Sequence, residues 1–324
     1  MKNKNEIEII KEKIKNKNQL ITSNIQNIAI IKAHENYITS ISNFPNGNFI
    51  SLSWDKSIAI FNKFFKIIQH IKNAHDSWVR SVAIENDNFF ITCSLDKSIK
   101  TWIKTENEFK NYQTILDAHE SDINKIILSS NGYLLSCSDD KKIKIWKKEN
   151  NQFMQIKILQ HFTKIFSILL LEDKNRLISS GNYETKLWDF NINDVDNIKF
   201  IKIIDDTYCE CRNVLNRIDE DRVAIGGKDK SSLKIISISQ EKIIHSIKIP
   251  FQCLGIRTIY DKGVFFVGGY SRDLLIFRSD NYEMIHVVNN AHAQYIEGIT
   301  ELSSGLIATH GWDYYIKIWE FCQN

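Results

Sequence analysis

The sequence predicts an all-β protein assembled from seven copies of one four-stranded unit. Three features carry that expectation. A motif recurs along the 324 residues at a period of about 43, apolar and polar residues alternate within each copy, and helical 3.6-residue patterning is absent from Asn27 onward.

Four copies align without gaps over their central parts. Ala33-His34 opens the first, which closes on Ser53-Trp54-Asp55-Lys56-Ser57-Ile58-Ala59-Ile60-Phe61. Ala74-His75 leads to Leu95-Asp96-Lys97-Ser98-Ile99-Lys100-Thr101-Trp102, and Ala118-His119 to Asp139-Asp140-Lys141-Lys142-Ile143-Lys144-Ile145-Trp146. Near the C-terminus Ala291-His292 leads to Trp312-Asp313-Tyr314-Tyr315-Ile316-Lys317-Ile318-Trp319. Three degenerate copies lie between them. The first runs from Gln160-His161 to Gly181-Asn182 and Trp188; the others carry Gly226-Gly227-Lys228-Asp229 and Gly268-Gly269-Tyr270-Ser271.

Each copy reads as four short strands in order. A β run follows the His, as in Tyr37-Ile38-Thr39-Ser40-Ile41-Ser42, and breaks at a turn such as Pro45-Asn46-Gly47-Asn48 or Ser130-Asn131-Gly132. A second strand (Phe49 to Ser53 in the first copy) ends at the Asp-Lys turn, and a third alternates Lys with Ile. A fourth, such as Phe65-Lys66-Ile67-Ile68, leads to the next His. The chain stops at Asn324, after the third strand of the last copy. Ile28-Ala29-Ile30-Ile31 stands just ahead of His34, where a fourth strand belongs, so the last unit is expected to borrow its outer strand from the N-terminus and leave no open edge. Two regions follow: residues 1–26, a basic tail or a short Lys-rich helix marked by Ile7, Ile10 and Ile14, and residues 27–324, the repeats.

The His followed by Asp-Lys-Ser-Ile-Lys-x-Trp at this period resembles the WD-repeat family, over about residues 27–320. The resemblance implies a seven-bladed β-propeller of four-stranded antiparallel blades, the last closed by an N-terminal strand. Trp-Asp itself survives only at Trp188-Asp189, and the fifth and sixth copies lack both His and Trp. In this family a His, a hydroxyl on strand two, the turn Asp and the Trp of strand three hydrogen-bond in series. The matching sets here are His75, Thr92, Asp96 and Trp102; His119, Ser136, Asp140 and Trp146; and His292, Thr309, Asp313 and Trp319. Copy one keeps His34, Ser51 and Asp55 but ends on Phe61, which cannot donate; copy four has His161, Asn182 and Trp188, with apolar Ile178 at the hydroxyl position. Five of the nine histidines are thereby read as structural.

Composition narrows the function. A net charge of +3 is too small to argue for nucleic acid, and no apolar stretch approaches the roughly 18 residues of a membrane helix. The N-terminus leads into no apolar run with a cleavage site, so an export signal is not expected. Of the cysteines at 93, 137, 209, 211, 253 and 322, none form Cys-x-x-Cys, and Cys93 and Cys137 lie in apolar strands; reduced thiols and the cytoplasm fit best. Cys209 and Cys211 read as two side chains on one strand face rather than a metal or redox pair. Phosphate loops, nucleophile elbows and His-Glu-x-x-His are absent, so neither an enzyme nor a cofactor or metal site is expected. The 12 Gly and 2 Pro are few for a turn-rich chain, and the abundant Asn is expected to supply the turns.

Binding has positive support. Because strands alternate direction, the His loop and the Asp turn emerge at one end of the ring, the top face. Two positions per copy should meet solvent there: the third residue after the His (Tyr37, Trp78, Asp122, Lys164, Tyr295) and the residue before the Asp (Trp54, Leu95, Asp139, Gly181, Lys228, Tyr270, Trp312). Tyr37, Trp54, Trp78, Leu95, Tyr270, Tyr295 and Trp312 fall on one arc, with Asp122, Asp139, Lys164 and Lys228 opposite. One aromatic is as readily explained by packing on a neighbouring loop; seven apolar positions on one arc point to a contact surface. The family resemblance implies a non-catalytic scaffold or adaptor, monomeric by itself, that binds proteins or peptides within a larger complex. A rival is the substrate-recognition subunit of a modifying enzyme such as a ubiquitin ligase, but Trp188-Asp189-Phe190-Asn191 lacks the Arg such members often carry. A catalytic or ligand-sensing central channel would need convergent carboxylates and His on the first strands, which are mostly Ile, Ser, Thr and Val.

Overall fold

Seven four-stranded antiparallel sheets stand in a ring in the computed structural model, which describes residues 25–182, 184–207, 213–227 and 229–322. Residues 1–24, Cys209, Cys211 and Lys228 lie outside the described residues. Blades one to six run from inner to outer strand in chain order; blade one is Ile38–Asn43, Phe49–Ser53, Ile58–Phe61 and Ile67–Ile71. Middle strands are buried on both faces and read as near-continuous apolar or hydroxyl runs, as in Phe89–Ser94, whereas outer strands such as Ile67–Ile71 alternate and face water. The apolar core lies between neighbouring blades. Phe49, Ala59 and Phe61 of blade one, for example, pack on Ala308, Ile316 and Ile318 of blade seven.

Blade seven closes as the sequence predicts. Ile25–Lys32 pairs antiparallel with Tyr315–Phe321, from Ile25 opposite Phe321 to Lys32 opposite Tyr315, outside Ile307–Gly311 and Ile296–Glu301. The strand begins two residues earlier than the repeat implies.

Within the blades a relay ties strands two and three, and the turn between them, to the His loop. In blade two Trp102 Nε1 donates to Thr92 Oγ1 at 2.8 Å, Thr92 Oγ1 lies 2.9 Å from His75 Nε2, and His75 Nδ1 lies 2.8 Å from Asp96 Oδ2. Blade three repeats this with Trp146, Ser136, His119 and Asp140 at 2.9, 2.7 and 2.8 Å. Blade seven does so with Trp319, Thr309, His292 and Asp313 at 2.7, 2.7 and 2.9 Å. The carboxylate can only accept, so Nδ1 carries the proton that reaches it; in a neutral imidazole Nε2 then accepts from the hydroxyl, which in turn accepts from the indole. A neutral imidazole satisfies every member. Burial pushes His75 and His119 below the ordinary histidine value, against the opposing pull of Asp96 and Asp140. Burial acts upward on the carboxyls of Asp96, Asp140 and Asp313, but their histidine and backbone hydrogen bonds outweigh it and hold them below the usual range. In blade one Phe61, unable to donate, stacks on Phe49 with centroids 4.5 Å apart, and His34 still bonds Ser51 (2.7 Å) and Asp55 (3.1 Å).

Blade four corrects the sequence reading. Its hydroxyl is Ser179, not absent at Ile178: His161 Nε2 lies 2.6 Å and Trp188 Nε1 2.7 Å from Ser179 Oγ. A turn through Glu172–Lys174 and left-handed Asn175 adds a residue before strand two, and a shorter hairpin, with Gly181 opposite Glu184, removes one after it. The two shifts cancel over the whole repeat and are invisible to a gapless alignment. Asn182 is also not the acid. Glu184, at the position of Ser57 and Ser98, uses its extra methylene to bring Oε2 within 3.3 Å of His161 Nδ1. Burial brings His161 down to about 4.

The turns need a second correction. Asn takes left-handed positions at Asn73, Asn175 and Asn290, but at the Asp turn the left-handed residue is Lys56, Lys97, Lys141 or Tyr314, with φ of 68–71°. Side chains there cost about 1 kcal/mol each. The preceding carboxylate offsets this by accepting backbone N–H groups from both sides, as Asp96 does from Asp76 and Ser98 at 2.9 Å each.

Two predictions follow from closure and relay. A chain beginning at Ala33 uncovers the whole edge of Tyr315–Phe321 and should self-associate at micromolar concentration, seen as multimers by light scattering; a stable monomer would contradict strand closure. Depressed histidines bind protons more readily in the unfolded chain. Stability should therefore be level above pH 7 and fall as pH drops below about 6.5, with further loss below about 4 as the Asp carboxyls begin to protonate in the unfolded chain. Urea midpoints from pH 8 to 3.5 test it. A midpoint that rises on passing below 6.5 would mean charged imidazoles.

Candidate binding surface

The two solvent positions of each repeat are partners across the first hairpin. The residue before the turn donates its backbone N–H to the carbonyl of the third residue after the His: Trp54 to Tyr37 (3.0 Å), Leu95 to Trp78 (3.1 Å), Asp139 to Asp122 (3.0 Å) and Trp312 to Tyr295 (3.0 Å). Blade six does the same without a His, Tyr270 donating to Gln252 at 3.0 Å. These five blades thus each offer the top face a fixed pair of side chains. The relay holds that pair from below, since it joins the His loop to the Asp turn. In blade four the one-residue shift moves the position from Gly181 to Asn182. Gly181 itself lies so close to the inner strand that a Cβ would stand 1.8 Å from the Lys164 carbonyl oxygen.

Six of the seven arc residues form one continuous aromatic cluster. Trp78 stacks on Trp54 with centroids 3.6 Å apart and planes 5° from parallel. Tyr37 contacts Trp54 at 4.7 Å and stacks on Trp312 at 4.7 Å. Trp312 meets Tyr295 at 5.1 Å and Tyr270 at 5.9 Å, and those two tyrosines meet at 5.0 Å. Tyr270 and Tyr295 are 40 % and 39 % exposed, enough for direct contact with a partner, and the other four are half-buried. Leu95 is half-buried and stands opposite Trp78 across the hairpin. The cluster therefore spans blades six, seven, one and two.

Two members escaped the sequence reading. Tyr314, left-handed after Asp313, adds a ring 5.6 Å from Tyr37; Lys occupies its position in blades one to three, and that exchange is its signal. Arg80 lies under the Trp pair, its guanidinium 5.1 Å from the Trp78 ring and 5.4 Å from that of Trp54. A charged residue at the start of an inner strand, two places after Trp78, is the trace it leaves in the sequence.

The opposite sector is charged and internally paired. Lys164 Nζ bonds Asp139, which also accepts from Asn124 Nδ2 at 2.7 Å. Burial and neighbouring Asp139 raise the Asp122 carboxyl.

The central channel holds a cavity of about 150 Å³ lined by Ser40, Lys125, Asn216, Arg257, Thr300 and His310 among others, with no carboxylate among the described residues of its lining. Burial brings His310 down to about 3, so it carries no proton to donate as an acid near neutrality. Among the described residues no group of three His, Cys, Asp or Glu is placed to hold a metal. What the geometry offers is a rigid aromatic platform beside a charged sector, suited to recognition.

The family model for the WD domain, G-beta repeat, matches residues 25–62, 66–102 and 110–147. No curated protein matches the chain in sequence. Among solved structures, the chain is similar to the WD40 β-propeller domain of Doa1, with a TM-score of 0.74 at 16% identity, covering 92% of this chain and 97% of that one. The closed ring of seven four-stranded blades makes the chain a seven-bladed β-propeller, with WD repeats matched over residues 25–62, 66–102 and 110–147.

Proposed function

We propose that this propeller is a non-catalytic scaffold or adaptor whose top face binds a peptide or protein segment along the aromatic cluster. WD40 propellers in general serve protein interaction. The observation that carries the finer reading is the continuity of the rings: Trp78, Trp54, Tyr37, Trp312, Tyr295 and Tyr270 touch in sequence across four blades while keeping part of their surface open. Interfaces concentrate their energy in such Trp and Tyr anchors. A cluster needed only for packing would be covered by loops, and Tyr270 and Tyr295 are not. The reading extends to a protein that is monomeric alone, works in the cytoplasm within a larger assembly and does not bind nucleic acid. Cys93, free and buried, supports a reducing compartment.

The test is affinity purification with mass spectrometry, comparing the native chain with the Trp54→Ala/Tyr295→Ala double variant. Loss of two anchors at about 2 kcal/mol each should cut recovery of specific partners by at least tenfold. The melting temperature should fall by only about 3 °C, as for substitutions outside the core. Unchanged partners together with a steep fall in melting temperature would make the cluster a packing element.

A further inference from the structure

We infer that Arg80 receives a carboxylate from the bound segment, so that the top face selects a peptide bearing an Asp or Glu among apolar residues. The inference rests on the reading of the cluster as a peptide surface and adds the chemistry of what it selects.

Among the described residues the inner strands of six blades carry a bulge at the second residue, where the ladder skips a position. Blades four and six skip apolar Phe166 and Leu254, and the other four skip a polar residue, between Ile38 and Ser40, Val79 and Ser81, Ile123 and Lys125, and Ile296 and Gly298. A bulge leaves one residue unpaired and re-aims its side chain. The polar skipped residues are Thr39, Arg80, Asn124 and Glu297, in blades one, two, three and seven around the inner rim of the top face. Three of them are served within the chain. Thr39 Oγ1 donates to the Val79 carbonyl at 2.7 Å, Asn124 Nδ2 to Asp139 and to the Ile165 carbonyl at 2.7 and 2.9 Å, and Glu297 accepts from Trp312 Nε1 at 3.0 Å.

Arg80 is not. It is 8 % exposed, its Nε and Nη1 have no hydrogen-bond partner, and no carboxylate among the described residues lies within ion-pair distance. The Trp54 and Trp78 rings give it cation–π contact, which favours the charge but serves no N–H group in the guanidinium plane. A guanidinium taken this far from water without an acceptor is costly, and an oxyanion from outside relieves that cost. The charge balance selects the oxyanion. Arg80 is the one cation among these rim residues, and the rings around it are neutral, so a singly charged carboxylate is matched, whereas a phosphate dianion would leave one charge uncompensated.

The probe is a phage-displayed library of random 12-residue peptides, panned on the full chain and on Arg80→Gln, Arg80→Lys and Trp54→Ala. The native chain should enrich peptides with an Asp or Glu beside aromatic or aliphatic residues. Exchanging that acid for its amide in the best synthetic peptide should weaken binding at least tenfold. Arg80→Gln should bind acid and amide peptides alike, and Arg80→Lys should keep the preference at lower affinity. A phosphoserine at the same position should bind no tighter than Glu. If Arg80→Gln does not fold, the acid-to-amide loss on the native chain and on Arg80→Lys decides. Enriched peptides without an acid, an acid preference that survives in Arg80→Gln, or tenfold tighter phosphoserine binding would overturn the carboxylate while leaving the peptide surface in place. A library from which the native chain enriches nothing beyond Trp54→Ala would overturn both readings.

Discussion

A neutral histidine held between a hydroxyl and a carboxylate is the interaction on which the rest of this molecule depends. His75, His119 and His292 each receive a proton at Nε2 from a hydroxyl already bonded to an indole, and give one at Nδ1 to an Asp. The direction of donation is set by the carboxylate, which can only accept and so holds the imidazole proton at Nδ1, leaving Nε2 to accept from the hydroxyl. Removing one partner strands the others in a dry interior, at about 1–3 kcal/mol for each orphaned group. Through the Asp the relay also fixes the backbone of the His loop, and with it the hairpin pair that reaches the top face. Structural and recognition residues are thus two layers of one arrangement, the lower holding the upper in register.

Tryptophan serves both layers. Trp102, Trp146, Trp188 and Trp319 are buried and each donates to a hydroxyl, while Trp54, Trp78 and Trp312 stand at the rim. Their positions in the repeat separate them: the first group closes strand three, and the second flanks the His or precedes the Asp turn.

Much of this was legible in the sequence because it is local and repeated. The period, the four-strand units, the relays of blades two, three and seven and the closing strand follow from spacing and from residue types with obligatory partners. The pairing of Tyr37 with Trp54 and of Tyr295 with Trp312 follows from strand alternation. Blade four was misread because an added residue before strand two and a lost one after it cancel, hiding Ser179, and because Glu184 reaches by length what Asp elsewhere reaches by position. Blade five replaces the relay with other carboxylates. Asp221 accepts from Ser237 Oγ at 2.6 Å and the Ser239 N–H at 2.7 Å, and Asp229 accepts from Ser232 Oγ at 2.6 Å. Arg80 needed the fold itself, since its meaning depends on a bulge and on rings from two blades.

The central claim is that the seven tryptophans divide into relay members and platform members. Hydrogen exchange at the indole N–H, followed by NMR with each signal assigned by substitution, reads that division directly. The indoles of Trp102, Trp146, Trp188 and Trp319 should exchange slowly, at rates tied to opening of the blades, because each is buried and bonded. Those of Trp54 and Trp78, which donate to nothing among the described residues, should exchange orders of magnitude faster. Trp54 and Trp78 protected as strongly as Trp102 in the isolated chain would place them in the core and contradict the account.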